Sequence, residues 1–136
     1  MKKIILNRLD YIRITKRIEE ARHSKSVTAD EAERLSAELE SAIVVDPDTV
    51  PGDVVTMNSI VRLTFLNNKK ELQVQIVYPD QADLKAHKIS IFSPIATALI
   101  GYRSGDEIEW LVPGGMTRIR IDEIIYQPEA AGDYDL

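Results

Sequence analysis

Three carboxylates in the first third of the chain are the residues whose spacing could support metal chemistry. Asp30, Glu31 and Glu33 lie close together, and converging carboxylate oxygens are the ligands that Mg²⁺ prefers in proteins. The same residues fit a simpler role, because acidic side chains in the first turn of a helix complement its dipole. The sequence leaves two interpretations open, a metal-binding trio and the acidic start of a helix.

Other residue types offer little further chemistry. The chain has no cysteine, which excludes disulfides and thiolate catalysis and favours a reducing compartment. His23 and His87 fall in predicted loops far apart in the sequence, where solvated side chains are expected. The run Pro113–Gly115 joins two predicted strands, so it indicates a hairpin turn rather than a phosphate-binding loop. We therefore predict no catalytic residue and no cofactor.

Composition and charge narrow the class of protein. The chain has 136 residues, 44% hydrophobic side chains and a net charge of −5. A net negative charge argues against direct binding to nucleic-acid phosphates, which requires clustered cations. No apolar run approaches the ~20 residues of a membrane span, and the apolar stretch after Lys3 is too short for a signal peptide. The expectation is a cytoplasmic protein, monomeric and without membrane contact.

A helical hairpin is predicted at the start of the chain. Leu9–Arg22 has helical periodicity over about four turns, and a turn follows at His23–Ser26. Thr28–Glu31 forms a capping box that starts a second amphipathic helix. Residues 1–25 carry eight basic and three acidic side chains, whereas residues 26–52 carry one arginine and seven acidic side chains. We expect the two helices to fold back as a short antiparallel coiled coil. The apolar stripes are formed by Leu9, Ile12, Ile14, Ile18 and Ala21, and by Ala32, Leu35, Leu39, Ala42 and Ile43.

The period changes from helical to two after a linker rich in proline and aspartate, Asp46–Asp53. Ile60–Phe65 and Leu72–Tyr78 alternate around the turn Asn67–Lys70, which predicts a β-hairpin. The acidic segment Gln127–Leu136 is predicted to be a mobile tail. Further strands are predicted at Lys88–Ile91, Glu107–Val112 and Thr117–Tyr126. The expected class is α+β, with a helical hairpin over residues 1–45, a linker over 46–53 and an antiparallel sheet domain over 54–136.

One short helix has complete terminal signals. Ser93 can cap the first turn, Pro94 suits the first helical position, and Gly101 suits the left-handed residue that follows a helix. The residues between are almost all apolar, so the helix must lie against the sheet.

Several runs resemble the bacterial transcript-cleavage (Gre) factor family and, within it, the regulator of nucleoside diphosphate kinase branch. The shared pattern begins with Ser93-Pro94-Ile95 and Ala98–Gly101, and it continues through Gly105–Trp110 and Pro113–Gly115. Val54–Ser59 and Tyr126–Tyr134 are also similar to that branch. The resemblance covers nearly the whole chain and is strongest from about Pro51 to the C-terminus.

This resemblance implies an FKBP-like fold for the sheet domain and RNA polymerase as the partner. The docking position would be the rim of the secondary channel, and any association with DNA would occur only through the polymerase complex. The family's polymerase-contacting region matches the start of the short helix. The residues implied in partner binding are Phe92, Ser93, Pro94, Ile95, Gly101, Gly105 and Asp106.

The sequence departs from the cleavage factors at the hairpin. Their longer coiled coil delivers Mg²⁺ chemistry with an acidic pair at its tip, whereas Leu9–Arg22 spans only ~21 Å of helix. The predicted turn His23–Ser26 is basic and polar. We therefore expect competition for the polymerase site without transcript cleavage. Two alternatives remain: Mg²⁺-dependent cleavage through Asp30, Glu31 and Glu33, and prolyl isomerase activity, which the few aromatic residues disfavour.

Overall fold

The computed structural model describes residues 4–24, 29–112 and 115–132. Within these ranges the chain forms seven strands and four α-helices in a mixed α+β arrangement, with three short 3₁₀ helices at Pro47–Thr49, Pro79–Gln81 and Leu84–Ala86. The elements in chain order are β1 (Ile5–Asn7), α1 (Arg8–Ser24), α2 (Ala29–Glu40), β2 (Ile43–Val45), β3 (Ile60–Phe65), β4 (Lys70–Val77), β5 (Lys88–Ser90), α3 (Pro94–Leu99), β6 (Glu107–Val112), β7 (Gly115–Tyr126) and α4 (Pro128–Ala131).

Helices α1 and α2 pack against each other, as the two amphipathic stripes predict. The buried stripe of α1 differs from the expected one, because Asp10 is buried in line with Ile14 while Ile12 is exposed. Helix α1 also continues through His23 to Ser24, so the prediction of a loop at His23 is wrong. Lys25, Ser26 and Thr28, and with them the predicted turn and capping threonine, lie outside the described residues. The buried apolar residues of the two helices are Ile14, Ile18, Ala21, Ala32, Leu35 and Leu39.

Two strands that the sequence did not predict join the base of the helical pair. β1 and β2 run parallel, with Ile5 opposite Ile43 and Asn7 opposite Val45. The N–H of Ile43 donates to the carbonyl of Ile4 at 2.8 Å, and the N–H of Ile5 donates to the carbonyl of Gly101 at 3.3 Å. This small sheet therefore connects the start of α1 and the end of α2 to the residues of the following domain.

The main sheet has five strands in the order β5-β4-β3-β7-β6. The predicted hairpin of β3 and β4 is confirmed, with Val61 opposite Val74 and Leu63 opposite Leu72. The expectation of a purely antiparallel sheet is wrong at one edge, where β5 pairs parallel to β4. The chain between β4 and β5 makes two 3₁₀ turns over residues 79–86, which return it to the level of Gln75, so that β5 can run parallel to the last residues of β4.

Helix α3 lies where the sequence places it, against β6, and it also contacts α2. Ala96, Leu99 and Ile100 at its buried face belong to the same hydrophobic core as the helical pair and the sheet. The hydroxyl of Thr97, its one polar interior residue, donates to the carbonyl of Ile91 at 2.9 Å. One continuous core therefore unites all layers. Among the described residues no helix has the length and apolarity needed to cross a membrane.

The prediction of a mobile segment from Gln127 is wrong at its beginning. Helix α4 starts at Pro128, and both Gln127 and Glu129 are buried. The Gln127 amide donates to the carbonyls of Pro51 and Val54, at 2.8 and 2.6 Å. These long-range bonds order the segment despite its acidic composition, while residues 133–136 lie outside the described part of the chain.

Candidate partner-binding site

The start of α3, where the sequence places the partner-binding residues, is a tightly bonded turn. The Ser93 hydroxyl donates to the carbonyl of Ser90 at 2.7 Å and accepts from the N–H of Ala96 at 3.4 Å. The N–H of Phe92 donates to the Ser90 hydroxyl at 3.1 Å. The predicted serine cap is thus present, and its two hydrogen bonds hold the first turn of α3 in position relative to Ser90.

The predicted partner-binding residues differ in how much surface they present. Phe92 is only 3% exposed, whereas Ser93 and Ile95 are half-buried. Pro94 is the first residue of the helix, and its side chain lies outside the described part of the structure. Ser93 and Ile95 therefore offer the accessible side chains at this end of α3, and Phe92 supports them from the core.

The remaining three predicted residues lie after α3. Gly101 is buried and has a positive φ of 82°, and its carbonyl accepts from Ile5. Gly105 is exposed with a φ of 88°, and a carboxylate oxygen of Asp106 accepts from the N–H of Arg103 at 2.8 Å. In this structure Gly101 serves the packing of the fold, while Gly105 and Asp106 form a turn at the surface.

The candidate metal-binding carboxylates lie in the first turns of α2. Glu33 is exposed and contacts the Arg22 guanidinium at 3.3 Å, while the side chains of Asp30 and Glu31 lie outside the described part of the structure. No group of three or more histidine, cysteine or acidic side chains able to hold a metal occurs among the residues that the structure describes. His87, as predicted, lies in a surface turn, with a left-handed backbone.

A buried polar cluster at the base of the helical pair is the feature that sequence reasoning missed. The Glu129 carboxylate is 7% exposed and accepts from the amide of Asn7 and from the hydroxyl of Thr56, the latter at 2.7 Å. A carboxylate oxygen of Asp10 accepts from the N–H of Met57 at 3.1 Å. These bonds join β1, α1, the start of the sheet domain and α4, so they set the position of the helical pair. The one signal in the sequence is the four-residue spacing that places Asp10 in the stripe of Ile14 and Ile18.

Burial gives the Asp10 carboxyl group an unusual affinity for protons. Removal from water raises its pKa from 3.8 to about 7, the N–H of Met57 opposes the shift, and the nearby Glu129 carboxylate adds to it. Arg13 acts in the opposite direction to Glu129. Folding therefore favours the protonated form of Asp10 at mildly acidic pH.

The Asp10→Asn variant is expected to lose one pH-dependent contribution to stability. Between pH 3.8 and about 7 the folded protein retains a proton on Asp10 that the unfolded chain releases, so this contribution falls as the pH rises. Asparagine has no such dependence, and the variant should gain stability relative to the wild type by more than about 1.4 kcal/mol, the equivalent of one pKa unit, between those limits.

Urea denaturation of both proteins at a series of pH values measures this difference. Asp48→Asn, at an exposed position in the linker, is the matched control and should follow the wild-type profile. Parallel profiles for the wild type and Asp10→Asn would contradict the raised pKa.

The described residues form a mixed five-stranded sheet that packs against α3 and is joined to a pair of helices. This α+β architecture can be compared with protein families. The C-terminal domain model of the transcription elongation factor family GreA/GreB matches residues 50–126, more than half of the chain. The chain belongs to the GreA/GreB family.

Relatives in this family confirm the resemblance seen in the sequence. The regulator of nucleoside diphosphate kinase from Escherichia coli strain K12 is 40% identical over 132 residues, which cover 96% of this chain and 95% of that protein. The transcription elongation factor GreA of Psychrobacter sp. strain PRwf-1 is 42% identical over 95 residues, covering 68% of this chain but only 60% of the relative. A solved GreA/GreB structure from Nitrosomonas europaea is 40% identical, with a TM-score of 0.74 over 93% of this chain and the whole of that chain.

Proposed function

We propose that this protein is a regulator that binds RNA polymerase at the rim of the secondary channel and competes there with the cleavage factors without cleaving transcripts. The observation that carries the proposal is the family membership of residues 50–126, the part that contains the sheet and α3. The likeness to a regulator of nucleoside diphosphate kinase extends over nearly the whole chain, whereas the likeness to GreA covers three fifths of that factor. The relatives are named a regulator and an elongation factor, which favours a regulatory protein over an enzyme.

The docking surface in this proposal is the first turn of α3. Ser93 and Ile95 are accessible there, and the Ser93 cap and buried Phe92 hold the turn in one conformation. A rigid surface loses little conformational entropy when it binds, which favours recognition by a preformed partner.

The short first helix supports the absence of cleavage activity. Helix α1 has 17 residues, a length of about 25 Å at 1.5 Å per residue. This is three residues longer than the sequence predicts, because the helix starts at Arg8 and ends at Ser24. Glu33, one of the three candidate carboxylates, contacts Arg22, so its charge is partly neutralised within the helical pair. The coiled-coil geometry of the helices, the FKBP-like character of the sheet and the cytoplasmic location belong to the same proposal.

The Pro94→Asp variant is expected to bind RNA polymerase at least about tenfold more weakly than the wild type, because it introduces a charge at the first residue of α3, within the segment proposed to bind. The fold should be retained, since aspartate is favourable in the first turn of a helix. Affinity for polymerase core enzyme can be measured by biolayer interferometry. The matched control is Ile125→Asp, an equally drastic change at an exposed position of β7, and it should bind as the wild type does. Equal affinity of Pro94→Asp and the wild type would refute the assignment of this surface.

A backtracked elongation complex supplied with Mg²⁺ tests the second part of the proposal. Addition of the protein should leave the transcript length unchanged and should suppress cleavage by an added cleavage factor in a dose-dependent manner. Shortened transcripts would instead support the alternative of a Mg²⁺-dependent stimulator, and loss of that activity in an Asp30→Ala, Glu31→Ala, Glu33→Ala variant would assign it to the acidic trio.

A further inference from the structure

The outer edge of β2 carries backbone groups that no described residue binds. In the parallel register, Ile43 and Val45 direct their N–H and C=O groups to β1, as the bond from Ile43 to the carbonyl of Ile4 shows. Alternation along a strand then directs the N–H and C=O of Val44 to the opposite side. Neither group has a hydrogen-bond partner in the described part of the chain. By the same alternation, the C=O of Ala42 and the N–H of Asp46 face this outer edge.

Two exposed apolar side chains lie beside these backbone groups. Ile43 is 46% exposed and Val44 is 42% exposed, and the two side chains extend to opposite faces of the small sheet. An accessible strand edge with exposed β-branched side chains is a template for the addition of another strand. The edge therefore has both the polar groups and the apolar surface that strand pairing uses.

The chemistry of the edge selects an extended polypeptide as its ligand. Two donors and two acceptors in alternation match the backbone of an added strand, which binds by main-chain hydrogen bonds. The segment around this edge is acidic, since the sequence has no lysine or arginine between Arg34 and Arg62. Negative charge here favours a polypeptide with basic residues on either side of the paired strand. Glu40 and Asp48 are exposed and form no ion pair with the described residues, whereas Asp46 pairs with Arg8 at 3.2 Å.

A second copy of this chain is a poor occupant. Antiparallel pairing of two β2 edges would bring Glu40 and Asp48 of both copies to one short interface, where like charges repel. A segment with basic flanks would gain the attraction that a second copy lacks.

We propose that the outer edge of β2 binds an extended segment of a partner protein as a third strand, with apolar side chains against Ile43 and Val44 and lysine or arginine on its flanks. This surface is separate in sequence from the first turn of α3 and does not depend on the proposed binding of polymerase there.

An NMR titration of the ¹⁵N-labelled protein with a decapeptide of four central valines, flanked on each side by three lysines, tests the proposal. Saturable shifts are expected at Ala42–Asp46, together with slower hydrogen exchange of the Val44 and Asp46 amides. A peptide with glutamate in place of lysine should bind at least about tenfold more weakly. A peptide methylated at every backbone nitrogen should not bind, because it lacks the donors that strand pairing requires.

Two variants with equal changes in charge locate the binding surface. Val44→Lys should weaken binding of the lysine peptide at least about tenfold. Ile125→Lys, at an apolar residue of β7 that is 46% exposed against 42% for Val44, should bind like the wild type. Absence of saturable shifts, equal affinity for the lysine and glutamate peptides, or shifts centred outside Ala42–Asp46 would overturn the proposal. Concentration-dependent dimerisation that Val44→Lys abolishes would also overturn it, in favour of a second copy. Because polymerase is absent, none of these outcomes bears on the docking proposed for α3.

Discussion

Replacement of Gly101 by alanine is expected to destabilise the protein by about 3–4 kcal/mol, a large share of the stability of a small domain. Two effects add at this position. A φ of 82° is unfavourable for a residue with a side chain, and a Cβ atom would lie 2.3 Å from the Cβ of Ile4. Ile4 is fully buried beside β1, and the clash involves its first side-chain carbon, so the backbone of one strand must move. Urea denaturation followed by far-ultraviolet circular dichroism measures the change.

Gly105 provides the matched control for this prediction. Its φ of 88° is nearly the same, but no atom of the described residues, apart from its two chain neighbours, lies within 4 Å of the position that a Cβ would take. Gly105→Ala should therefore cost only the conformational part, about 1 kcal/mol. Equal losses in the two variants would show that contact with Ile4 contributes nothing.

Replacement of Glu129 by alanine is expected to reduce the free energy of unfolding by about 3 kcal/mol, although the residue lies in the acidic segment after the sheet. The change leaves the amide of Asn7 without its carboxylate acceptor and takes one acceptor from Thr56 in a buried site. It also creates a small cavity between α4 and the base of the helical pair. The free energy of unfolding, measured by urea denaturation at neutral pH, should fall accordingly.

A second readout separates this network from a general loss of packing. Because Glu129 helps to raise the pKa of Asp10, that pKa should fall in the folded Glu129→Ala variant, which carboxyl ¹³C NMR can follow. Glu123→Ala is the control, since Glu123 is exposed and pairs with Arg62 at 3.4 Å across the sheet. It should change stability by less than about 1 kcal/mol. A loss of the same size in both variants would argue against the buried network.

Local signals predicted most of the sheet and α3. The alternation of Val61 and Leu63 with Leu72 and Val74 identified both the hairpin and its buried face, because side-chain period and burial are set by the strand itself. The cap at Ser93 is equally local, since donor and acceptor are three residues apart. These are the elements for which neighbouring residues decide the structure.

The remaining features depend on contacts between distant parts of the chain. β1 and β2 have three residues each, too few to show a period, and they form strands only because they pair with each other. Gln127 and Glu129 lie in an acidic segment typical of a disordered tail, and bonds to Pro51, Val54, Asn7 and Thr56 order them. The spacing of Asp10 from Ile14 indicates burial, but its partners Met57 and Glu129 are 47 and 119 positions away, where no local pattern identifies them. The proposed docking surface on α3, by contrast, rests on the family pattern, and no spacing of residues indicates it.

The buried network at the base of the helical pair also determines when the protein can complete its fold. Asn7 binds Glu129, so this contact cannot form until a residue 122 positions further along the chain has been synthesised. During translation α1 and α2 can form and pair. The residues that fix their position, Gly101 and Glu129 of α4, become available only after they have left the ribosome. Such long-range closure slows folding and leaves apolar surface exposed in the meantime. The helical pair is thus made first and positioned last.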